Sequence, residues 1–265
     1  MDLLLRDRVY VVTGGTRGVA RAAAQVLVAE GARVVVTGRD ESRVRVAADE
    51  IAAGHATGET GSGTGSDRVL GVAADNADPT AAARLVAAAT DAWGRIDGAL
   101  ISVGGPPPGS VTKATDEQWR DAFESVFLGA VRLARTVAGA CGPGGVVGLV
   151  LSSSVKQPVD GLAISNGLRP GLAMVAKGLA DELGPWGVRV VGLLPGRIDT
   201  ERVRELDGLA DDPEAARAAG AAGIPLRRYG EPVEFGTVAA FLLSPAASYV
   251  TGVMLPVDGG VIRSL

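Results

Sequence analysis

The sequence predicts an α/β protein: a single doubly wound parallel sheet flanked by helices. Three observations carry this. Strand-like and helix-like segments alternate from residue 9 to residue 257. The strand segments are continuously apolar, as in sheets covered on both faces. Many tight turns are available, with 38 glycines in 265 residues, so the alternation reads as successive βαβ units.

Residues 9–13 are a β-branched run ending in glycines and form the first strand. The Ala-rich 19–30 has helical spacing and stops at Gly31. Residues 33–37 read as a strand and 43–53 as a helix. Residues 54–66, rich in Gly, Thr and Ser, read as a flexible surface loop that contains His55. A strand at 68–73 precedes a helix at 79–93 with proline at its start, and 98–103 is the fourth strand. The second half predicts a long helix at 116–139, a strand at 146–151, a helix at 162–183 and a strand at 188–194. Residues 197–228 are polar and irregular, with room for short helices; a helix at 232–243 and a strand at 253–257 follow. No linker divides the chain, so residues 1–265 are expected to form one domain.

Composition narrows the function. The chain is 47% hydrophobic and 21% charged, too apolar for a disordered protein. Lys and Arg number 26 against 30 Asp and Glu, so no positive excess invites nucleic acid or anionic membranes. Cys141 is the one cysteine and His55 the one histidine. An intramolecular disulfide is therefore impossible, and neither a metal site nor a Ser-His-Asp triad is expected. The apolar run Leu3-Leu4-Leu5 is too short for a signal-peptide core, and no apolar run reaches membrane-spanning length. A cytoplasmic protein without a membrane segment is expected.

Chemistry concentrates first at Thr13-Gly14-Gly15-Thr16-Arg17-Gly18-Val19-Ala20, between the first strand and first helix. Gly14 and Gly18 allow positive φ and close approach of backbone to a ligand. The helix that follows aims its free N–H groups and partial positive charge at the same spot, as a pyrophosphate cradle requires. This segment resembles the TGxxxGxG motif of the short-chain dehydrogenase/reductase family. The resemblance covers nearly the whole chain. Asp75-Asn76 resembles the adenine-contacting pair, Ser102-Val103-Gly104-Gly105 the NNAG segment, and Pro195-Gly196-Arg197-Ile198-Asp199-Thr200 the PGxIxT segment beside the nicotinamide. Tyr249-Val250-Thr251-Gly252 and Val257-Asp258-Gly259-Gly260 resemble its C-terminal strand region. A Rossmann fold and a pyridine dinucleotide are implied, held by Gly14, Thr16, Arg17, Gly18, Val19, Asp75, Asn76, Val103, Gly104, Pro195, Gly196, Ile198 and Thr200. Two departures stand out. Ala20 replaces the last glycine, which still permits close helix packing. The asparagines of NNAG are gone, which is expected to loosen a link between strands.

The second strand ends Val36-Thr37-Gly38-Arg39. An NAD enzyme usually ends this strand with an acid that holds the ribose 2′-hydroxyl. Here glycine clears that position, and Arg39, with Arg17, suits a 2′-phosphate. NADP(H) is expected over NAD(H). Asp40 lies one place too late and is expected to cap the next helix.

The catalytic positions break the family rule. The resemblance implies a Ser followed by Tyr-x-x-x-Lys at the start of a long helix. In register, Ser165 stands at the Tyr position and Arg169 at the Lys position. Ser152 has the family separation from 165, with Ser153 and Ser154 as rivals, and the family's helical Asn falls at Val126. Serine is a far weaker acid than a phenol, and Arg169 stays protonated, so neither inherits the tyrosine's role. Arg169 can still bind ribose and offer positive field to a developing alkoxide. Tyr10, Tyr229 and Tyr249 read as structural. Lys156 leaves the fifth strand at its ligand edge and is a candidate proton donor.

The turn Gly104-Gly105-Pro106-Pro107-Pro108-Gly109 is expected to shape a substrate cavity. By resemblance, 197–228 is a substrate lid; Arg202, Arg204, Arg227 and Arg228 there are either anion contacts or a solvated face. Cys141 reads as structural. The long helices at 116–139 and 162–183 imply a homo-oligomer, a dimer or tetramer. The expected function is an NADP(H)-dependent, ketoreductase-like oxidoreductase, similar to 3-oxoacyl-carrier-protein reductases, acting on a carbonyl or alcohol with atypical proton supply. The alternatives are the same fold repurposed as a lyase, isomerase or cyclase, or a non-catalytic cofactor-binding subunit.

Overall fold

The computed structural model describes residues 1–55 and 65–264. Seven parallel strands form one sheet: β1 (Val9–Val12), β2 (Arg33–Gly38), β3 (Val69–Ala73), β4 (Gly98–Ser102), β5 (Val146–Val150), β6 (Arg189–Pro195) and β7 (Met254–Val257). Their order is β3-β2-β1-β4-β5-β6-β7. The register pairs Val11 with Val35 on one side and with Ala99 on the other. The helices are α1 (Gly18–Ala29), α2 (Glu41–His55), α3 (Ala81–Trp93), α4 (Asp116–Ala122), α5 (Gly129–Ala140), α6 (Ala163–Leu183), α7 (Glu201–Asp207), α8 (Pro213–Ala222) and α9 (Pro232–Leu243).

Every residue of β1 and β5 is buried, as continuous apolar runs require. Alternate side chains divide between two cores. Val9 and Val11 pack with Leu85, Leu133 and Leu172 of α3, α5 and α6. Tyr10 and Val12 pack with Leu27 of α1 and Phe235 of α9. The α1–α9 contact is very close: a Cβ on Gly236 would lie 2.8 Å from the Ala22 carbonyl oxygen. Ala20 is buried at this end of α1, so alanine does permit the packing expected of it.

One boundary differs from the expectations, and two helices carry internal features that the spacing did not show. The helix α2 runs through Gly54 to His55, and a 3-10 turn occupies Gly65–Arg68, so both ends of the expected loop are helical. The rest of that loop, 56–64, lies outside the described residues. The long helix at 116–140 contains a π-helical stretch, Phe123–Leu128, in which the Phe123 and Phe127 rings stack at 5.3 Å. This wider turn also carries buried Val126, which packs with Ala122 and Ile164. Finally, α6 contains Pro170, which has no N–H to give to the turn before it.

The link between β1 and β4 is not loosened by the missing asparagines. The Thr13 hydroxyl donates to the Ser102 carbonyl at 2.8 Å and accepts the Ser102 N–H at 2.9 Å. One side chain therefore closes both backbone groups at the sheet's ligand edge.

Candidate active site

The carboxyl ends of β1, β4, β5 and β6 share one edge, where parallel α/β sheets bind ligands. At β1 the glycine loop turns with Gly14 and Gly18 both at φ +61°, a conformation that favours glycine. A Cβ on Gly14 would come within 2.9 Å of the Ser102 carbonyl oxygen. The following α1 has no side-chain cap and no acid in its first turn. Its N-terminal N–H groups and dipole thus face no negative side chain of their own helix, as an anion cradle requires.

At the end of β2, a Cβ on Gly38 would lie 2.7 Å from Thr16 Cγ2, so a side chain there would have to displace the threonine methyl. Arg39 is exposed and pairs with no carboxylate among the described residues. Asp40 caps α2 as expected: its Oδ1 accepts from Ser42 Oγ at 2.6 Å and from the Arg43 N–H at 3.0 Å. Those bonds hold its carboxyl below the ordinary aspartate value. Arg17 reaches across to Glu205 of α7 at 3.3 Å, an exposed pair.

Asp75 accepts the Ala77 N–H at 3.0 Å, which shapes the turn after β3. The Asn76 backbone lies against Gly129, where a Cβ would run into its carbonyl. Val103 is half-buried and Gly104 exposed, with open space where a Cβ would stand. After β6, Gly196 is pressed against Asp258, Ile198 bridges to Gly230, and Thr200 sits near Gly18. The segments at 14–19, 38–39, 75–76, 103–104 and 195–200 all lie at the ends of parallel strands, which brings the expected dinucleotide residues to one sheet edge.

Of the catalytic candidates, Ser152 and Lys156 lie on the chain leaving β5, and Ser165 and Arg169 lie on α6. Ser165 and Arg169 are one turn apart on α6, and both are buried. The Ser165 Oγ lies 3.3 Å from the Ser154 Oγ, so the partner of Ser165 is Ser154. The Ser152 hydroxyl instead accepts the Ser154 N–H at 3.1 Å and caps the short 3-10 turn Ser153–Val155. Spacing alone does not reveal this, because that turn folds Ser154 inward. Asn166, also not anticipated, fixes the same loop: its amide accepts from Val159 N–H and donates to Val159 O.

Arg169 is 5% exposed. Its Nη1 donates to the Val150 carbonyl at 2.7 Å and its Nη2 to the Val103 carbonyl at 3.4 Å. Its Nε is buried with no partner, and no carboxylate among the described residues pairs with the group. Burial pulls its pKa from 12.5 down to about 10, so it remains a cation at neutral pH. Lys156 is exposed beyond the 3-10 turn.

The tyrosines are occupied elsewhere. Tyr10 is fully buried and donates to the Leu243 carbonyl at 3.0 Å. Tyr229 is buried and donates to Asp207 at 3.2 Å. Tyr249 is fully exposed. Cys141 caps the end of α5, and burial pushes its thiol up to about 12, as befits an unreactive cysteine.

Residues 197–228 fold into α7 and α8 with their arginines engaged within the chain. Arg202 donates to the Pro106 carbonyl at 3.0 Å, Arg204 and Arg217 pair with Asp199, and Arg228 pairs with Glu234 at 2.6 Å. Arg227 donates to the Ala222 carbonyl. Arg202 therefore ties α7 to the proline-rich turn after β4.

The uncapped helix, the glycine turns and the acid-free position 38 followed by Arg39 together fit a dinucleotide with an extra phosphate. Comparison with known proteins agrees with this geometry. Residues 14–262 match the family model described as enoyl-(acyl carrier protein) reductase. The chain is 33% identical over 270 residues to the L-rhamnose 1-dehydrogenase (NAD(P)(+)) of Azotobacter vinelandii, covering 99% of this chain and 100% of that one. Among solved structures it is similar to L-sorbose reductase from Gluconobacter frateurii complexed with NADPH and L-sorbose, at 28% identity and TM-score 0.89 over the whole of both chains. It is also similar to a variant of actinorhodin polyketide ketoreductase with NADPH, at 27% identity and TM-score 0.87 over 97% of this chain and 98% of that one. By motif, topology and overall likeness, the chain belongs to the short-chain dehydrogenase/reductase family of oxidoreductases.

Proposed function

We propose that the protein is an NADP(H)-dependent oxidoreductase, ketoreductase-like, that acts on a small-molecule carbonyl or alcohol without a tyrosine acid. The observation that carries the reading is the end of β2. Gly38 carries no acid and packs closely on Thr16, and Arg39 follows, exposed and, among the described residues, without a carboxylate partner. NADPH in the solved relatives supports it.

When bound, the cofactor supplies or accepts a hydride. The chain supplies the rest. Gly14, Thr16, Gly18 and Val19 hold the diphosphate with backbone N–H groups at the α1 N-terminus. Arg39, joined by Arg17 once it leaves Glu205, holds the 2′-phosphate. Asp75 and Asn76 face the adenine, and Val103, Gly104, Pro195, Gly196, Ile198 and Thr200 enclose the nicotinamide end. Ser154 and Ser165 orient a carbonyl oxygen, and Arg169 places positive charge beside it in a dry site. Ser152 supports the turn that presents Ser154. Lys156 is the exposed cation able to pass a proton to the site mouth. The segment 197–228 serves as lid, and the α4–α5 and α6 surfaces, where Phe123 and Met174 are exposed, serve homo-oligomer contact.

Calorimetric titration tests the cofactor. NADPH is expected to bind more tightly than NADH. Arg39→Ala is expected to weaken NADPH by roughly tenfold or more, about 1.4 kcal/mol, and to leave NADH unchanged. Tighter binding of NADH overturns the assignment. Absorbance at the reduced nicotinamide band with a carbonyl panel tests the reaction. Product without NADPH consumption would favour the lyase, isomerase or cyclase reading. Unchanged turnover in Lys156→Ala removes that residue from the chemistry.

A further inference from the structure

Helix α7 bonds to the loops on both sides of the crevice between β1 and β4. The sheet order reverses at that crevice, where open parallel sheets take their ligands. The helix starts at Thr200, which stands against the glycine loop: a Cβ on Gly18 would lie 3.6 Å from Thr200 Cγ2. Two residues on, Arg202 Nη2 donates to the Pro106 carbonyl at 3.0 Å. A Cβ on Gly105 would meet the same guanidinium at 3.2 Å, so glycine there gives it room to lie against the turn. Glu205 then presents one carboxylate to two arginines. Its Oε1 lies 3.3 Å from Arg17 Nη1 in the glycine loop, and its Oε2 lies 3.7 Å from Arg202 Nη1. All three side chains reach solvent, Arg202 least, at 35% exposed.

The two arginines are not equivalent. Arg202 holds Pro106 through Nη2 and faces Glu205 through Nη1, so neither contact displaces the other. Arg17 pairs with no other carboxylate among the described residues. A phosphate that takes Arg17 leaves Glu205 beside a second anion, and the nearest cation left to it is Arg202, three residues back on the same helix face. We infer that Glu205 and Arg202 set the preference for NADPH: Glu205 occupies Arg17 until a 2′-phosphate takes that arginine, and Arg202 then receives the displaced carboxylate. Glu205 is thus an internal competitor, and Arg202 a positioning residue that acts through it. This deepens the cofactor reading and rests on it for the 2′-phosphate at Arg17. Exposed pairs of this kind move an equilibrium by up to about fivefold, and by less as salt screens them.

Calorimetric titration with NADPH and NADH at low ionic strength isolates the 2′-phosphate as the ratio of the two affinities. Glu205→Gln is expected to raise that preference for NADPH by about two- to fivefold, because Arg17 then waits unpaired. Arg202→Ala is expected to lower it by a similar factor, because the displaced carboxylate has no cation to go to. Arg202→Lys, which keeps the charge, is expected to recover most of the loss. In the Glu205→Gln background Arg202→Ala is expected to have little effect, and in the Arg17→Ala background so is Glu205→Gln. Effects that persist at full size in those backgrounds are long-range charge alone and overturn the inference. Equal losses of NADPH and NADH in Arg202→Ala also overturn it, since the residue then only holds the helix in place. A preference that Arg39→Ala removes but Glu205→Gln leaves untouched overturns this inference and spares the cofactor reading. A parent chain with no preference for NADPH overturns both.

Discussion

The Tyr229 hydroxyl sits between two charges at the foot of the proposed lid. It donates to Asp207 at 3.2 Å and accepts from Arg197 at 3.1 Å, while Arg197 also pairs with Asp207 at 2.7 Å. The Arg217 guanidinium lies 4.5 Å above its ring. Asp207 is buried and its Oδ2 has no partner, so the hydroxyl is one of few groups that solvate it. Tyr229→Phe is expected to destabilise the protein by about 1–3 kcal/mol, the cost of leaving a buried acceptor short of a donor. Urea denaturation measures this, and NADPH affinity is expected to stay unchanged because the tyrosine serves the lid rather than the cofactor. The same reasoning separates the serines. From sequence the separation from 165 favours Ser152, with Ser153 and Ser154 as rivals, but the Ser152 oxygen is committed to a backbone N–H and the Ser154 oxygen to Ser165.

Among the elements, α9 shows how a helix end sets a pH response. Its first turn carries Glu234, which pairs with Arg228 at 2.6 Å and accepts the Glu231 N–H at 2.7 Å. The Arg228 guanidinium, then that backbone bond, hold the Glu234 carboxyl at about 2, below its ordinary 4.5. A depressed folded value means that the contribution is complete above about pH 4.5 and is lost as pH falls toward about 2. Thermal unfolding followed across that window should show the melting temperature of Glu234→Gln falling less steeply than that of the parent chain. Both partners are exposed, so the difference is small. The α1–α9 packing was written in the sequence as small residues, Ala22 and Gly236, but their meeting across the chain was not. The π-helical stretch before α5 was not legible either, since nothing in Phe123–Leu128 departs from helical spacing.

For the whole molecule, the proposed lid is tied to the sheet edge by contacts that break cheaply. Arg17–Glu205 is an exposed pair, and Arg202 holds one carbonyl of the proline turn. Exposed pairs contribute about 0–1 kcal/mol each. Under the proposed function a dinucleotide phosphate is expected to compete with Glu205 for Arg17, so that binding of NADPH reports on the assembled site. At a concentration of about a hundred times Kd, it should stabilise the fold by about 2.7 kcal/mol. Thermal scans should show a rise of several degrees with NADPH, and a smaller one with NADH at the same concentration. No helix among the described residues is long and apolar enough to cross a membrane.

Local chemistry wrote the strands, the glycine loop, the cleared position 38 and the Asp40 cap into the chain. Each depends on neighbours a few residues away or on a periodicity that burial imposes on both faces of a sheet. The loss of the tyrosine and the arginine at 169 were equally legible. What only the tertiary structure decided was which distant groups meet: Ser154 rather than Ser152 against Ser165, Arg17 on Glu205, Thr13 closing the gap left by the missing asparagines, and the absence of any acid beside Arg169. Spacing fixes the face of an element on which a residue stands. Whether its charge is paired depends on elements folded back from elsewhere in the chain, and at Arg169 the described residues bring none.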